Sequence, residues 1–239
     1  MNLKTKPLDH RHWYNQGNSL RENGKLKKAL RCYDKAVEIK PDFEEAWFFR
    51  GCILKHLEKL QEAVISFDKA LELKPLSHFS WQMRGHALLD SVKWREAVTS
   101  FDKAINIKPD LCEAWLMRGL ALTKLERNDE ALNSFNVAIE IKPDYFNAWF
   151  MRGIVLFELG EFEETIVSYD KALEINPNSY QLWHKRGALL HALGGVAPYD
   201  LRKLEEAVAS YDKALAINPD SSDTQECRYS ALQQIRQLK

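Results

Sequence analysis

Cysteine is scarce in this chain of 239 residues and occurs at four unevenly spaced positions, Cys32, Cys52, Cys112 and Cys227. No two of them form a CxxC pair, so the sequence has neither a disulfide framework nor zinc-finger spacing, and a reducing environment fits best. It also lacks the run of about 18 apolar residues that a membrane-spanning helix needs, and residues 1–12 lack the apolar segment of a signal peptide. We therefore expect a soluble, cytoplasmic protein that does not contact a membrane.

Catalytic motifs are missing as well. The sequence contains no HExxH motif, no GxSxG motif and no glycine-rich phosphate loop. Its one Gly-Gly pair, Gly194-Gly195, is not followed by the lysine of a P-loop. These absences predict a protein that is not an enzyme and that has no catalytic residues, no cofactor and no metal.

Net charge is the third absence, because 34 Lys and Arg residues balance 34 Asp and Glu residues. A nucleic-acid partner is therefore not expected. The balance is uneven along the chain: residues 1–40 carry ten basic and four acidic residues, whereas residues 112–179 carry six basic and twelve acidic residues. Such polarity can orient a charged partner or a second copy of the chain.

What the sequence does contain is a period of 34 residues. Six tryptophans recur at this interval, and a glycine follows each of them by four residues: Trp13, Trp47, Trp81, Trp115, Trp149 and Trp183, with Gly17, Gly51, Gly85, Gly119, Gly153 and Gly187. Five prolines keep the same step: Pro41, Pro75, Pro109, Pro143 and Pro177. A fixed period of this length is typical of a stacked-repeat architecture.

Each repeat reads as two short amphipathic helices. In residues 44–77, apolar and small residues recur at helical spacing on both sides of a brief polar interruption. Gly51 and Ala63 lack bulk where two antiparallel helices come closest, while Trp47 and Phe67 fill the space beside that contact.

The order of tryptophan, glycine, alanine, aromatic residue, alanine and proline at this period resembles the tetratricopeptide repeat over about residues 10–221. The resemblance implies an all-α fold, a right-handed superhelical solenoid of six helix-turn-helix repeats. A lead-in at 1–9 would precede the repeats, and a capping helix at 222–239 would follow them. The predicted repeats are 10–43, 44–77, 78–111, 112–145, 146–179 and 180–221, the last with an eight-residue insertion near 194–201.

Within the insertion, Gly194-Gly195 should end the first helix, and Pro198 is suited to begin a turn that leads into the second. The insertion is either a contact site or a neutral loop. Elsewhere, Asp42 and Asp110 stand where an N-cap of the next helix is expected.

One departure from the family pattern is systematic. The residue before the glycine is arginine in five repeats, and aspartates recur on the second helices: Arg50, Arg84, Arg118, Arg152 and Arg186, with Asp34, Asp68, Asp102, Asp170 and Asp212. We predict an arginine–aspartate ladder between neighbouring helices.

The resemblance further implies that first-helix side chains line a concave groove in which a partner protein or peptide lies. The predicted groove residues are Tyr14, Phe48, Cys52, Gln82, His86, Leu116, Leu120, Phe150, Ile154, Phe157 and His184. Because these positions are apolar throughout repeats four and five, we predict an interaction scaffold whose partner has apolar anchors and some basic residues.

Three alternatives stay open. The groove residues pack partly against neighbouring helices, or copies of the chain assemble with one another. RNA binding ranks lower, because the groove positions are not basic. Finally, Cys52, His56, His86 and Asp90 have zinc-ligand side chains at equivalent positions of two repeats, and lining the groove is the simpler role for them.

Overall fold

A computed structural model describes residues 9–196 and 198–239. The predicted lead-in lies outside the described residues except for Asp9, which accepts a hydrogen bond from the His12 amide at 2.8 Å and caps the first helix. This backbone hydrogen bond lowers the pKa of Asp9. The described residues form thirteen α-helices and no strand, so the predicted all-α class is confirmed.

The helices alternate with short turns along the chain. Their bounds are α1 His10–Glu22, α2 Leu26–Ile39, α3 Glu44–His56, α4 Leu60–Leu73, α5 His78–Asp90, α6 Trp94–Ile107, α7 Cys112–Lys124, α8 Asn128–Ile141, α9 Phe146–Leu159, α10 Phe162–Ile175, α11 Tyr180–Gly194, α12 Leu201–Ile217 and α13 Ser222–Leu238.

The chain divides into two compact units, one ending at Arg127 and the other beginning at Asn128. The first unit contains α1 to α7, and the second contains α8 to α13. Within each unit the tightest packing joins the two helices of a predicted repeat, such as α3 with α4 or α11 with α12. No described helix is long and apolar enough to cross a membrane.

Glycine allows the paired helices to pack closely. A Cβ atom at Gly51 would lie 2.7 Å from the Phe67 ring, and one at Gly187 would lie 2.8 Å from the Tyr211 ring. These aromatic rings are fully buried. In these pairs the ring of the second helix therefore rests directly against the backbone of the first helix, which no larger residue at the glycine position permits.

The turn inside five of the helix pairs, from α1–α2 to α9–α10, contains a left-handed residue. Gly24 and Gly160 supply it without strain, at φ values of 70° and 81°. Glu58, Val92 and Glu126 adopt the same conformation at φ values of 59°, 63° and 59°. For a β-branched residue such as Val92 this backbone conformation is strained.

The predicted arginine–aspartate ladder is confirmed. Arg50 on α3 donates through Nε to Asp34 on α2 at 2.7 Å and through Nη1 to Ser66 on α4 at 2.6 Å. The same pairing with an aspartate sixteen residues earlier occurs at Arg84, Arg118, Arg186 and Arg228. Arg152 differs, because its partner is the amide oxygen of Asn136 at 2.8 Å.

The serines of the ladder escaped the sequence analysis. Ser66, Ser100, Ser168 and Ser210 each accept from an arginine, and each donates to the carbonyl four residues earlier in its helix. Because these serines recur with the repeats, the sequence alone could have identified them as partners of the arginines. Each arginine that bonds one of these serines therefore bridges two successive second helices through charged and neutral hydrogen bonds.

The tryptophans fix the junctions between repeats. Trp47 Nε1 donates to the Pro41 carbonyl at 2.8 Å, and four further repeats form the same bond from Trp81, Trp115, Trp149 and Trp183. The guanidinium carbon of Arg50 lies 5.6 Å from the centre of the Trp47 ring. Proline, tryptophan and arginine thus form one framework that recurs on the first helices.

Two predicted helix starts need correction. The N-caps of α3 and α7 are Phe43 and Leu111 rather than Asp42 and Asp110, and neither forms a side-chain cap. At the insertion, α11 ends at Gly194 as predicted, but Pro198 starts no helix. Asp200 caps α12 by accepting from the Arg202 and Lys203 amides at 3.0 and 3.2 Å, because its carboxylate satisfies free amides, which proline cannot do.

The C-terminal helix α13 covers the last repeat, as predicted. Its Ala231 packs with Leu190, Ala207 and Tyr211 in one buried cluster. The helix keeps part of the framework, since Gln225 replaces tryptophan and donates to the Pro219 carbonyl at 2.7 Å. Helix α13 therefore resembles the first helix of a further repeat.

Candidate partner-binding surface

An open apolar cavity lies on the first helices of the second unit. It has a volume of about 300 Å³ and is lined by Phe157 on α9, Tyr169 on α10, and His184, Lys185, Ala188, Leu189 and Ala192 on α11. We call these residues the apolar cleft. Phe157 is 50% exposed although it is one of the largest apolar side chains. Exposed apolar area of this kind is typical of a contact surface.

The apolar cleft continues along α11 towards α13. A second cavity of about 390 Å³ shares Ala188 and Ala192 with it and extends to Val196, Cys227 and Gln234. Both shared alanines are exposed, so the two cavities join into one accessible surface.

Two histidines border this surface. His184 Nδ1 lies 2.8 Å from Thr224 Oγ1 on α13, which fixes the ring. Burial lowers the pKa of His191, and a hydrogen bond with Gln234 opposes that effect. His191 therefore favours its neutral form, so the surface around it stays apolar.

The predicted groove residues Phe150 and Ile154 lie outside the apolar cleft. Phe150 is half-buried and stacks on Phe146, with ring centroids 6.0 Å apart and an interplanar angle of 13°. It belongs to the core cluster around Tyr169 and Leu182. Phe150 therefore serves mainly to support the core, because its ring is already in contact with other apolar side chains.

The first helices of the first unit carry polar contacts instead. The Gln82 side-chain amide donates to Glu113 Oε2 at 3.1 Å, and His86 Nε2 lies 3.7 Å from Glu113 Oε1. Lys55 Nζ forms an ion pair with Asp90 Oδ2 at 2.8 Å. We call these five residues the polar cluster. Burial lowers the pKa of His86, whereas the nearby Glu113 carboxylate raises it.

Other predicted groove residues of the first unit are engaged in packing. Tyr14 contacts the rings of Tyr33, Phe43 and Phe49 at centroid distances of 5.0 to 6.1 Å. Burial raises the pKa of the Cys52 thiol to about 12, so the thiol stays protonated at neutral pH.

Two predicted groove residues are buried in this structure. Leu116 is only 2% exposed, because its apolar side chain is placed in the core, where burial stabilises the fold. Gln82 is 6% exposed, and its amide is occupied by Glu113. Leu120 is half-buried. Phe48 remains available at a separate cavity beside α5.

The structure does not assemble a zinc site from Cys52, His56, His86 and Asp90. In residues 9–196 and 198–239, no group of three or more His, Cys, Asp or Glu side chains is placed to hold a metal ion. Asp90 is paired with Lys55, and the Cys52 thiol has a raised pKa, so neither is poised to bind a cation.

Sequence reasoning identified Phe157 and His184 of the apolar cleft but missed Lys185 and Ala192. Ala188 and Ala192 are spaced by four residues on α11, and both are exposed. This small-residue spacing was visible in the sequence, but it indicates a cleft only when the positions of α9 and α13 are known.

Models of the tetratricopeptide repeat match residues 10–43, 44–77, 146–179 and 168–209, and a TPR repeat model matches 119–160. These matches together cover more than half of the chain. No curated protein sequence matches it.

Solved structures share the fold at low identity. The structure of YrrB, described as a TPR protein with an unusual peptide-binding site, is 23% identical with a TM-score of 0.67, over 82% of this chain and 97% of that one. A MamA structure is 22% identical with a TM-score of 0.67, over 69% of this chain and 96% of that one. The C-terminal part of a TPR repeat-containing protein from Cytophaga hutchinsonii is 13% identical with a TM-score of 0.79, over 93% of this chain and 88% of that one. The chain belongs to the tetratricopeptide repeat family.

Proposed function

We propose that this protein is a non-catalytic interaction scaffold that binds a peptide or helix of a partner protein in the apolar cleft. The observation that carries the proposal is the half-exposed Phe157 ring beside a cavity floored by Ala188 and Ala192. Large apolar anchors inserted into such pockets supply most of the free energy of binding in peptide recognition. YrrB, which shares the fold, is described as having a peptide-binding site.

The charges near the apolar cleft suggest the partner's composition. Lys185 lines the cavity with its basic side chain, whereas Glu158 and Glu161 follow Phe157 on the chain and are exposed. A partner with an apolar anchor and both an acidic and a basic neighbour would satisfy these charges. The proposed partner therefore keeps the expected apolar anchors and basic residues and carries one acidic residue in addition.

The test is a peptide selection followed by affinity measurements. Peptides would be selected from a displayed library on the immobilised chain, labelled, and titrated with the wild type, Phe157→Ala and Ala188→Glu. We expect Phe157→Ala to weaken binding roughly thirtyfold, because loss of a buried aromatic anchor typically costs about 2 kcal/mol or more. Ala188→Glu should abolish binding, since it places a charge on the floor of the cleft.

A matched control is available on the same unit. Val167 on α10 is 54% exposed, which is close to the exposure of Phe157, but it does not line the apolar cleft. Val167→Ala should leave the affinity unchanged. If Phe157→Ala and Val167→Ala bind the peptide equally well, the cleft is not the site.

Self-association is the second candidate function, and the uneven charge favours it. Residues 1–40 carry a net charge of +6 (ten minus four) and residues 112–179 a net charge of −6 (six minus twelve). Copies held together by this polarity should separate in salt, because screening is strong above about 0.15 M. Light scattering at low and high salt tests this: a constant monomer mass at all protein concentrations argues against it.

A further inference from the structure

Two exposed apolar residues at the start of α5 break the repeat pattern. Leu76 is 77% exposed and Phe79 is 61% exposed. At the other junctions between repeats, and before α13, the residue equivalent to Leu76 is polar: Asp42, Asp110, Asp144, Asn178 and Asp220. The position of Phe79 is also polar in the other repeats: Arg11, Glu45, Glu113, Asn147 and Gln181. The repeat framework therefore does not require apolar residues at either place.

The surroundings of Phe79 form a built site. The ring of His78 lies against the Phe79 ring with centroids 4.1 Å apart, which limits its movement. A cavity of about 310 Å³ next to it is walled by Phe48 and Phe49 and bordered by Glu44, Glu45 and Lys74. We call Leu76, Phe79 and this cavity the α5 patch. It lies entirely within the first unit and shares no residue with the apolar cleft.

Carboxylates flank the α5 patch on both sides. Glu45 on α3 borders its cavity, and Glu113 on α7 contacts Gln82, which lies one turn after Phe79 on α5. Glu44 is partly desolvated, and this burial raises the pKa of its carboxyl group. Lys74 contributes a basic side chain to the cavity wall. Among these residues, acidic groups therefore outnumber basic groups around an apolar centre.

We propose that the α5 patch docks a partner peptide in which one large apolar residue is flanked on both sides by lysine or arginine. The apolar residue inserts beside Phe79 and Phe48, and the basic residues face Glu45 and Glu113. One helix spacing of about 8–10 Å to either side of α5 reaches the equivalent positions on α3 and α7, where Glu45 and Glu113 lie. An extended chain rises about 3.3 Å per residue, which places the basic residues about three positions before and after the anchor.

The test uses two labelled peptides of equal length. Both carry a central tryptophan, with lysines three positions before and after it in the first probe and glutamates there in the second. Fluorescence anisotropy at about 0.1 M salt should show the lysine probe binding the wild-type chain at least tenfold more tightly than the glutamate probe. Equal binding of the two probes, or no binding of either, would overturn the proposal.

The decisive variant is Leu76→Asp with Phe79→Glu. It installs residues that other repeats carry at these positions, so the fold should be retained, which circular dichroism and thermal melting would check. We expect the lysine probe to bind this variant at least tenfold more weakly, because the apolar anchor site is lost. The added acidic residues attract the probe, so any loss must come from the apolar contact. An unchanged affinity would contradict the proposal.

Two further variants establish where the lysine probe binds. Glu45→Gln with Glu113→Gln should weaken binding of the lysine probe and reduce its salt dependence, because two charge contacts disappear. Phe157→Ala should have no effect on this probe, since it alters only the apolar cleft. A salt-independent dimer of the wild type that Leu76→Asp with Phe79→Glu dissolves would show that a second copy occupies the patch, which would refute the peptide proposal.

Discussion

The first helices of the two units differ in what they offer to a partner. In the first unit, Gln82 and His86 both contact Glu113, whose side chain stays 56% exposed, and Lys55 pairs with Asp90. In the second unit, the corresponding helices display the half-exposed Phe157 and the small residues Ala188 and Ala192 around an open cavity. The same helical scaffold therefore presents the polar cluster on the first helices of one unit and the apolar cleft on those of the other.

The framework beneath these surfaces is the same in both units. Arg84 in the first unit and Arg186 in the second each pair with an aspartate and a serine. Tryptophan donates to a proline carbonyl in both. The framework and the first-helix surface thus occupy different positions of the repeat. Substitutions in the framework should lower the stability of both units by similar amounts. Substitutions in the first-helix surface should leave the stability unchanged.

The largest expected effect comes from filling the glycine positions. Gly85→Val and Gly187→Val would each drive a side chain into a buried aromatic ring, because even a Cβ atom would lie 2.8 Å from Phe101 or Tyr211. Overpacking of this kind costs about 3 kcal/mol. Urea denaturation should show similar losses for the two variants. A large loss in only one unit would show that the frameworks are not equivalent.

A smaller effect is expected from the arginine ladder. Arg186→Met should cost about 2 kcal/mol, because it leaves Asp170 and Ser210 without their shared donor. Arg152→Met should cost about 1 kcal/mol, since its partner Asn136 is neutral. Thermal or urea denaturation measures both.

Asn136→Asp is the matched control and should stabilise the protein in low salt, because burial lowers the pKa of Arg152 and a carboxylate would offset that cost. Equal losses for both methionine variants would refute the assigned role of charge.

The smallest effect is a pH dependence that belongs to the polar cluster. Burial lowers the pKa of His86 below its unfolded value of about 6.5, with Glu113 on α7, Lys55 on α3 and Asp90 on α5 facing it. The unfolded chain therefore binds the proton more readily. The stabilising contribution of neutral His86 is fully present above about pH 6.5 and is lost as the pH falls through the folded pKa.

Urea midpoints measured from pH 7.5 to 5 should fall with decreasing pH, and His86→Gln should reduce that fall. His191→Gln is the corresponding variant of the second unit, because burial also lowers the pKa of His191. Hydrogen exchange of helices α5 and α11 would assign each effect to its unit. An unchanged pH profile in His86→Gln would contradict the proposed burial of a neutral imidazole.

The repeated residues of the sequence were sufficient to predict the framework. Trp47, Gly51 and Arg50 recur at a fixed interval, so their helical positions follow from the period, and the recurring aspartates indicated one partner of the arginine but not its serine partner. Leu116 shows where this reasoning ends, because the equivalent residues Phe48 and Phe150 are half-buried whereas Leu116 is almost fully buried. Exposure depends on the neighbouring side chains, which the repeat period does not specify.

Leu76 and Phe79 illustrate the opposite situation, in which the sequence departs from the repeat pattern. Their departure from the polar residues of the other repeats was readable from the sequence, but its meaning depends on their exposure and on the cavity beside Phe48. Comparing each repeat position with its equivalents is therefore most informative when the side-chain environment is known. An exposed apolar deviation from the repeat therefore marks a candidate contact surface that a binding experiment can test.

The most direct test of the division between framework and binding surface is hydrogen–deuterium exchange of the wild-type chain with and without a peptide selected for binding in the apolar cleft. We predict protection of the amides around Phe157 and from His184 to Ala192, with no change on α10 beyond its contact at Tyr169. At a peptide concentration near the wild-type Kd, the same peptide should give much less protection in Phe157→Ala. Protection confined to α10 and α12, or equal protection in the variant, would contradict the assignment of binding to the first helices.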